Sequence, residues 1–255
     1  MMRFLQKIRS NALLDSLISV PRDIVVPPSC LICSVQTSEQ GTLCPKCWGA
    51  MHFIEQPYCQ ILGRPFGHDH GEGTVSPEAI SDPPPFDRLR SVAVYNDLAR
   101  SLVSGLKFGD RLELAPWMAR WMSVAGRELI SECDLIVPVP LFWRRLVARR
   151  FNQSAELARS ISKLTGLKYV PLVLERRKKT RQQVGLSASE RARNVQGAFS
   201  VPVQARPLVE GRRILLVDDV YTSGATAKAC ARAFRRAGVA GIDVLTFASV
   251  TGDYI

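Results

Sequence analysis

Two adjacent carboxylates, Asp218 and Asp219, close a run of four apolar residues, Ile214, Leu215, Leu216 and Val217. A loop of small and hydroxyl residues follows: Thr222, Ser223, Gly224, Ala225 and Thr226. The apolar run does not alternate, so it reads as a strand covered on both faces, as in a parallel sheet. Residues 225–236 read as a helix. Strand, acid pair, loop and helix in that order put ligand groups at the carboxyl edge of an open α/β sheet. Loop amides and a helix N-terminus favour a phosphate. The carboxylates suit hydroxyls or a divalent cation beside that phosphate. A ligand with a phosphate, a diol and a metal is a phosphorylated sugar. The plain alternative is a strand-turn-helix corner with one capping Thr or Ser. Capping accounts for one hydroxyl, but not for two acids, three hydroxyls and a glycine together.

The second chemical constellation is Cys30-x-x-Cys33 and Cys44-x-x-Cys47. Two thiolate knuckles at this spacing supply four ligands to one tetrahedral zinc. Four soft ligands leave no open position, so the expected role is structural: the metal folds a lobe that lacks a core of its own. Cys59 stands apart, with Leu62 where a further knuckle needs cysteine. His52, His68 and His70 read as loop histidines, and Cys133 and Cys230 as small buried hydrophobes.

These groups need a scaffold. Residues 89–255 alternate strand and helix patterns. Strands are expected at 91–95, 135–139, 169–174, 198–201, 214–217 and 244–250. Helices are expected at 98–107, 114–129, 153–165 and 225–236. The resulting class is α/β, a mainly parallel sheet flanked by helices. Residues 1–58 carry an N-terminal helix and the cysteine lobe. Residues 59–88 are rich in Gly and Pro and read as a linker or irregular lobe.

The chain has 255 residues, 46% of them hydrophobic, so a substantial core is available. Its 34 Lys and Arg against 23 Asp and Glu give a net charge of +11, compatible with anionic substrates or nucleic acid. Seven cysteines, four of them in C-x-x-C pairs, argue for metal in a reducing cytoplasm rather than for disulfides. No stretch reaches the roughly 18 unbroken apolar residues of a membrane span. Residues 1–20 are basic and amphipathic without a continuous apolar core, so they are not read as a signal peptide. They are read as a helix packed on its own domain, with a partner- or membrane-surface helix as the alternative.

Residues 213–226 closely resemble the 5-phosphoribosyl-1-pyrophosphate (PRPP) motif of type I phosphoribosyltransferases. With the cysteine knuckles, the chain resembles the ComF family of phosphoribosyltransferase-like proteins associated with DNA uptake and natural competence. Further segments agree: Leu106-Lys107-Phe108, Pro138-Val139-Pro140-Leu141, and Arg149 to Gln153 against the family's Arg-Gly-Phe-Asn-Gln. Thr180, Gln183, Leu186, Glu190, Arg191, Asn194, Ala198 and Phe199 fit a further spaced pattern. Arg150 departs from the family's glycine at its position.

The resemblance implies a type I phosphoribosyltransferase fold behind a small zinc-ribbon lobe. It implies that Asp218 and Asp219 are the catalytic pair, holding the ribose 2′- and 3′-hydroxyls beside Val217. Thr222, Ser223, Gly224, Ala225 and Thr226 would hold the 5′-phosphate. Pro138, Val139, Pro140 and Leu141 would face the pyrophosphate, with Mg²⁺ on that side. The basic interval 176–193 resembles the loop that closes over pyrophosphate in type I enzymes. A solvated basic face is its plain alternative. A groove for single-stranded DNA is the third, with Arg144, Arg145, Arg149 and Arg150 adding charge and Phe142, Trp143 and Phe151 as stacking platforms; core packing is favoured for those aromatics. Two functions follow. One is transfer of phosphoribose from PRPP to an unknown acceptor. The other is a non-catalytic PRPP or nucleotide sensor that binds single-stranded DNA and partners with DNA-uptake proteins.

Overall fold

The structure is a computed structural model and describes residues 27–68, 71, 73–108, 111–142, 151–177 and 188–251. The expected N-terminal helix lies outside those residues, as do 178–187 of the basic interval and residues 143–150 with their four arginines. Two compact units are present, Met1–Ala50 and Met51–Ile255.

The first unit holds the cysteines. A bridge between Ser29 and Gln36 and a hydrogen bond from the Ser34 amide to the Cys30 carbonyl (3.0 Å) fold the first knuckle. Ser34 takes a left-handed φ of 60° at its tip. Helix α1 (Pro45–Ala50) carries Cys47 on its buried side. Apart from the cysteines, the buried apolar side chains among the described residues of this unit are Leu31 and Leu43. A core that small needs a further staple.

In the second unit a short helix α2 (Pro77–Ser81) starts at Ser76, whose hydroxyl accepts from the Ala79 amide. The main domain then runs β1 (Arg88–Val94), α3 (Asp97–Phe108), α4 (Leu114–Ala125), α5 (Arg127–Glu132) and β2 (Leu135–Pro138). It continues with α6 (Gln153–Thr165), β3 (Lys168–Tyr169), β4 (Glu175–Arg176), α7 (Ala188–Val195) and β5 (Phe199–Ser200). It ends with α8 (Arg206–Val209), β6 (Arg213–Tyr221), α9 (Ala225–Arg235) and β7 (Gly241–Ser249). Five strands form one sheet in the order β1-β7-β6-β2-β3, and every pairing in it is parallel. All nine residues of β7 and all four of β2 are buried. That burial on both faces is why their apolar residues do not alternate with polar ones.

Four elements differ from the sequence reading. The helix expected over 114–129 breaks at Gly126 into α4 and α5. A Cβ at Gly126 would lie 2.8 Å from both methyl carbons of Leu245, so a larger residue would have to push that side chain aside for the chain to turn this close to β7. The strand expected at 169–174 shrinks to two residues before Pro171, which cannot donate to the ladder. The strand at 198–201 pairs antiparallel with β4 in a separate small sheet. Strand β6 continues past Val217 to Tyr221, so the acid pair sits within it.

Residues 51–87 lie against β1. The amides of Ile54 and Leu89 bond to the carbonyls of Val92 and Ile61 at 2.9 and 2.7 Å. Cys59, Leu62, Ala79 and Phe86 join the same buried cluster as Ile214 and Val244. Cys59 Sγ accepts from the amides of Leu62 (3.4 Å) and Ser76 (3.2 Å). At the end of the sheet opposite the acid pair, buried Asp243 is held by Arg88 and Arg213. Their Nε atoms lie 3.0 and 2.9 Å from its carboxylate oxygens.

Candidate functional site

The ladder explains where the acid pair points. Strand β6 pairs with both neighbours up to Val217, which faces Pro138 of β2. Beyond it, β6 keeps only β7, with Asp218 level with Thr246. The acids therefore lie where the sheet loses one flank and a cavity can form. A cavity of about 270 Å³ opens there, lined among others by Tyr95, Lys107, Asp218, Asp219, Thr222 and Thr226.

Three side chains from distant segments hold the acids. Helix α6 begins at Asn152, whose side-chain Oδ1 accepts from the Ser154 amide and whose Nδ2 donates to the Val139 carbonyl (3.0 Å). That cap fixes the first turn of α6 beside the acids. Ser154 Oγ donates to Asp218 Oδ1 (2.8 Å), and Gln153 Nε2 donates to Asp219 Oδ2 (3.2 Å). From the last turn of α3, Lys107 Nζ reaches the same Asp219 oxygen at 2.8 Å. The Asp219 amide donates to Asp218 Oδ1 at 2.9 Å. Burial, with the Asp219 carboxylate beside it, pushes the Asp218 carboxyl up to about 7. One acid is thus charge-paired while the other titrates near neutrality.

The loop after β6 curls over this cavity. Gly224 has a left-handed φ of 71° and starts α9. A Cβ there would collide with the Tyr221 hydroxyl, and Tyr221 is itself pinned edge-on against Phe86 at 6.2 Å. Thr222, Gly224, Ala225 and Thr226 line the acid cavity. Ser223 lines a different cleft behind the loop. Pro138, Val139, Pro140 and Leu141 are not among the lining residues. They run alongside, tied in by the Val139 amide on the Val217 carbonyl (2.9 Å) and by Asn152.

The sequence reading placed Lys107, Asn152 and Gln153 in resembling segments without roles, and did not single out Ser154. The signal was their polarity at the ends of otherwise apolar periodic stretches. Linking them to acids more than sixty residues away requires the fold.

In the first unit the sulfurs of Cys30, Cys33, Cys44 and Cys47 all lie within 4.8 Å of one another. Cys33 and Cys44 sulfurs are 3.6 Å apart. Tetrahedral zinc at about 2.3 Å from each sulfur requires sulfur separations of about 3.8 Å. The four thiols therefore fit a structural zinc, and among the described residues they are the one such cluster. No described helix is long and apolar enough to cross a membrane.

Comparison with known proteins fits both units. Residues 22–79 match the family described as a double zinc ribbon domain, and residues 148–253 match the phosphoribosyl transferase domain. DNA utilization protein YhgH of Escherichia coli K12 is 33% identical over 84% of this chain and 87% of its own length. Competence protein F of Haemophilus influenzae is 28% identical, covering 79% and 94%. Competence protein ComFC of Bacillus subtilis is 26% identical, covering 83% and 90%. With the parallel sheet, the acid pair followed by a hydroxyl loop, and the four-sulfur cluster in place, the chain belongs to the ComF family of phosphoribosyltransferase-like, zinc-ribbon proteins.

Proposed function

We propose that the cavity over β6 binds PRPP with Mg²⁺ and transfers its phosphoribosyl group to an acceptor. One observation carries this reading. Two carboxylates, fixed by Lys107, Gln153 and Ser154, face a cavity walled by the hydroxyl loop. The loop amides, its two threonines and the N-terminal end of α9 take the 5′-phosphate. Asp218 and Asp219 accept hydrogen bonds from the ribose hydroxyls. Residues 138–141 flank the pyrophosphate. A nucleophile attacks C1 of the ribose, and the C1–O bond breaks with its electron pair leaving on pyrophosphate. The protein's part is positioning and charge stabilisation.

Mg²⁺ fits as a partner of the ligand rather than of a protein cage. Asp219 Oδ2 already holds Lys107 and Gln153, and Mg²⁺ characteristically keeps waters and substrate phosphates. Bound there, it neutralises the leaving group. We place the activity in the reducing cytoplasm, where four free thiols stay available to zinc.

The relatives are named for DNA utilization and competence. We carry that setting over, with DNA uptake as the process served and single-stranded DNA and uptake proteins as partners. Calorimetry with PRPP and Mg²⁺ on wild type and Asp219→Asn tests the reading. Wild type should bind and the variant should lose at least tenfold in affinity. Equal binding by both, or none by wild type, sinks it.

A further inference from the structure

Behind the hydroxyl loop lies a second cleft, of about 620 Å³. It is separate from the acid cavity, and Ala225 borders both. Its size is within the usual range of small-molecule sites. Its walls are basic. Lys228, Arg232 and Arg236 stand four residues apart on α9 and its C-cap, and Arg193 faces in from α7. Steps of four residues place these cations about 6 Å apart along one helix face. Like charges at this spacing repel one another. Against these four cations the described lining residues offer one acid, Asp82, whose Oδ2 lies 2.5 Å from Lys228 Nζ. The hydrogen bond and charge of Lys228, with a smaller part from Arg232, hold the Asp82 carboxyl below its ordinary value. After that pairing three arginines remain.

The floor is apolar, made by Phe199, Ala225 and Ala229. Ser223 lines the same cleft, and its Oγ is buried with no hydrogen-bond partner among the described residues. A buried hydroxyl without a partner is costly, and a ligand acceptor would relieve it.

We propose that this cleft is a second binding site, for a nucleoside di- or triphosphate. The arginines take the phosphates, Ser223 Oγ donates to one of their oxygens, and the apolar floor carries the base. Asp82 closes the Lys228 end with negative charge. That disfavours a continuing phosphodiester strand and suits a compact polyphosphate. Because Ser223 belongs to the loop that walls the acid cavity, an occupant here sits directly against that loop.

The test uses the full zinc-loaded chain and calorimetry with ATP, tripolyphosphate and adenosine, without Mg²⁺ at low salt. ATP should bind more tightly than tripolyphosphate, and adenosine at least a hundredfold more weakly than ATP. The exposed double change Arg232→Glu/Arg236→Glu should cost ATP at least tenfold while leaving thermal unfolding unchanged. Arg193→Ala, on a different helix, should weaken ATP in the same direction. Asp219→Asn should leave ATP binding intact, which separates this site from the acid cavity. Retained affinity in both arginine variants overturns the proposal. So does loss of ATP binding in Asp219→Asn, tripolyphosphate binding as tightly as ATP, or binding of oligonucleotides but not of ATP.

Discussion

Asp218→Asn should stabilise the free protein at pH 8 and at the same time weaken PRPP binding. Asp218 Oδ1 accepts from Ser154 Oγ and from the Asp219 amide, and an asparagine oxygen can keep both bonds. The substitution removes the charge. Burial and the adjacent Asp219 carboxylate raise this carboxyl from an ordinary 3.8 to about 7. Between those values the folded state binds more protons than the unfolded state. Stability therefore falls as pH rises through that window and stays low above it. The full difference corresponds to an upper bound of roughly 4 kcal/mol. Asp218 lines an open cavity, so solvent screens part of this, and about 1–2 kcal/mol is expected at pH 8. In a domain of this size that is a rise in Tm of roughly 3–6 °C. At pH 5 the wild-type carboxyl is neutral in the folded state but still ionised in the unfolded state, so the gain should be clearly smaller than at pH 8 and should vanish only below about pH 4. Thermal unfolding at the two pH values, with PRPP titration at pH 8, measures both effects. Destabilisation at pH 8, or equal gains at both pH values, would refute the electrostatic reasoning.

Other perturbations separate the two units and the two ends of the sheet. Removing zinc with a chelator, or Cys44→Ser, should unfold the cysteine unit while leaving the sheet unit's unfolding transition in place. Zinc content and hydrogen exchange over residues 27–50 read this out. Gly224→Ala should cost at least 1 kcal/mol, because it places a Cβ in a left-handed turn against Tyr221. It should also weaken PRPP binding through the displaced loop, as denaturant melts and calorimetry would show. Asp243→Ala leaves Arg88 and Arg213 without their shared buried partner and should cost about 3–5 kcal/mol in urea unfolding. PRPP affinity should be unchanged wherever that variant is folded, since Asp243 lies at the opposite end of the sheet.

The candidate site was legible because its core residues are contiguous. An unbroken apolar strand, two acids and a hydroxyl loop fall within fourteen positions. Helix α6 was equally plain, with Asn152 capping its start and Gly166 in a left-handed C-cap at its end. What escaped was tertiary. Nothing local shows that β6 runs on through Asp219 to Tyr221; β7 alone supports that extension. Lys107 and Ser154 reach the acids only because α3 and the first turn of α6 converge on the sheet's carboxyl edge. Gly126 is a poor helix former, but its break was hidden by apolar periodicity that continues on both sides. The basic cleft was invisible because Arg193 and the α9 cations meet only in the folded chain.

The most direct test is a structure of the full chain with PRPP and Mg²⁺. The ribose hydroxyls should lie within hydrogen-bond distance of the Asp218 and Asp219 carboxylates, with the 5′-phosphate against the amides of residues 222–226. PRPP bound in the cleft of Arg193, Arg232 and Arg236 instead, or absent from the acid cavity at saturating concentration, would contradict the account.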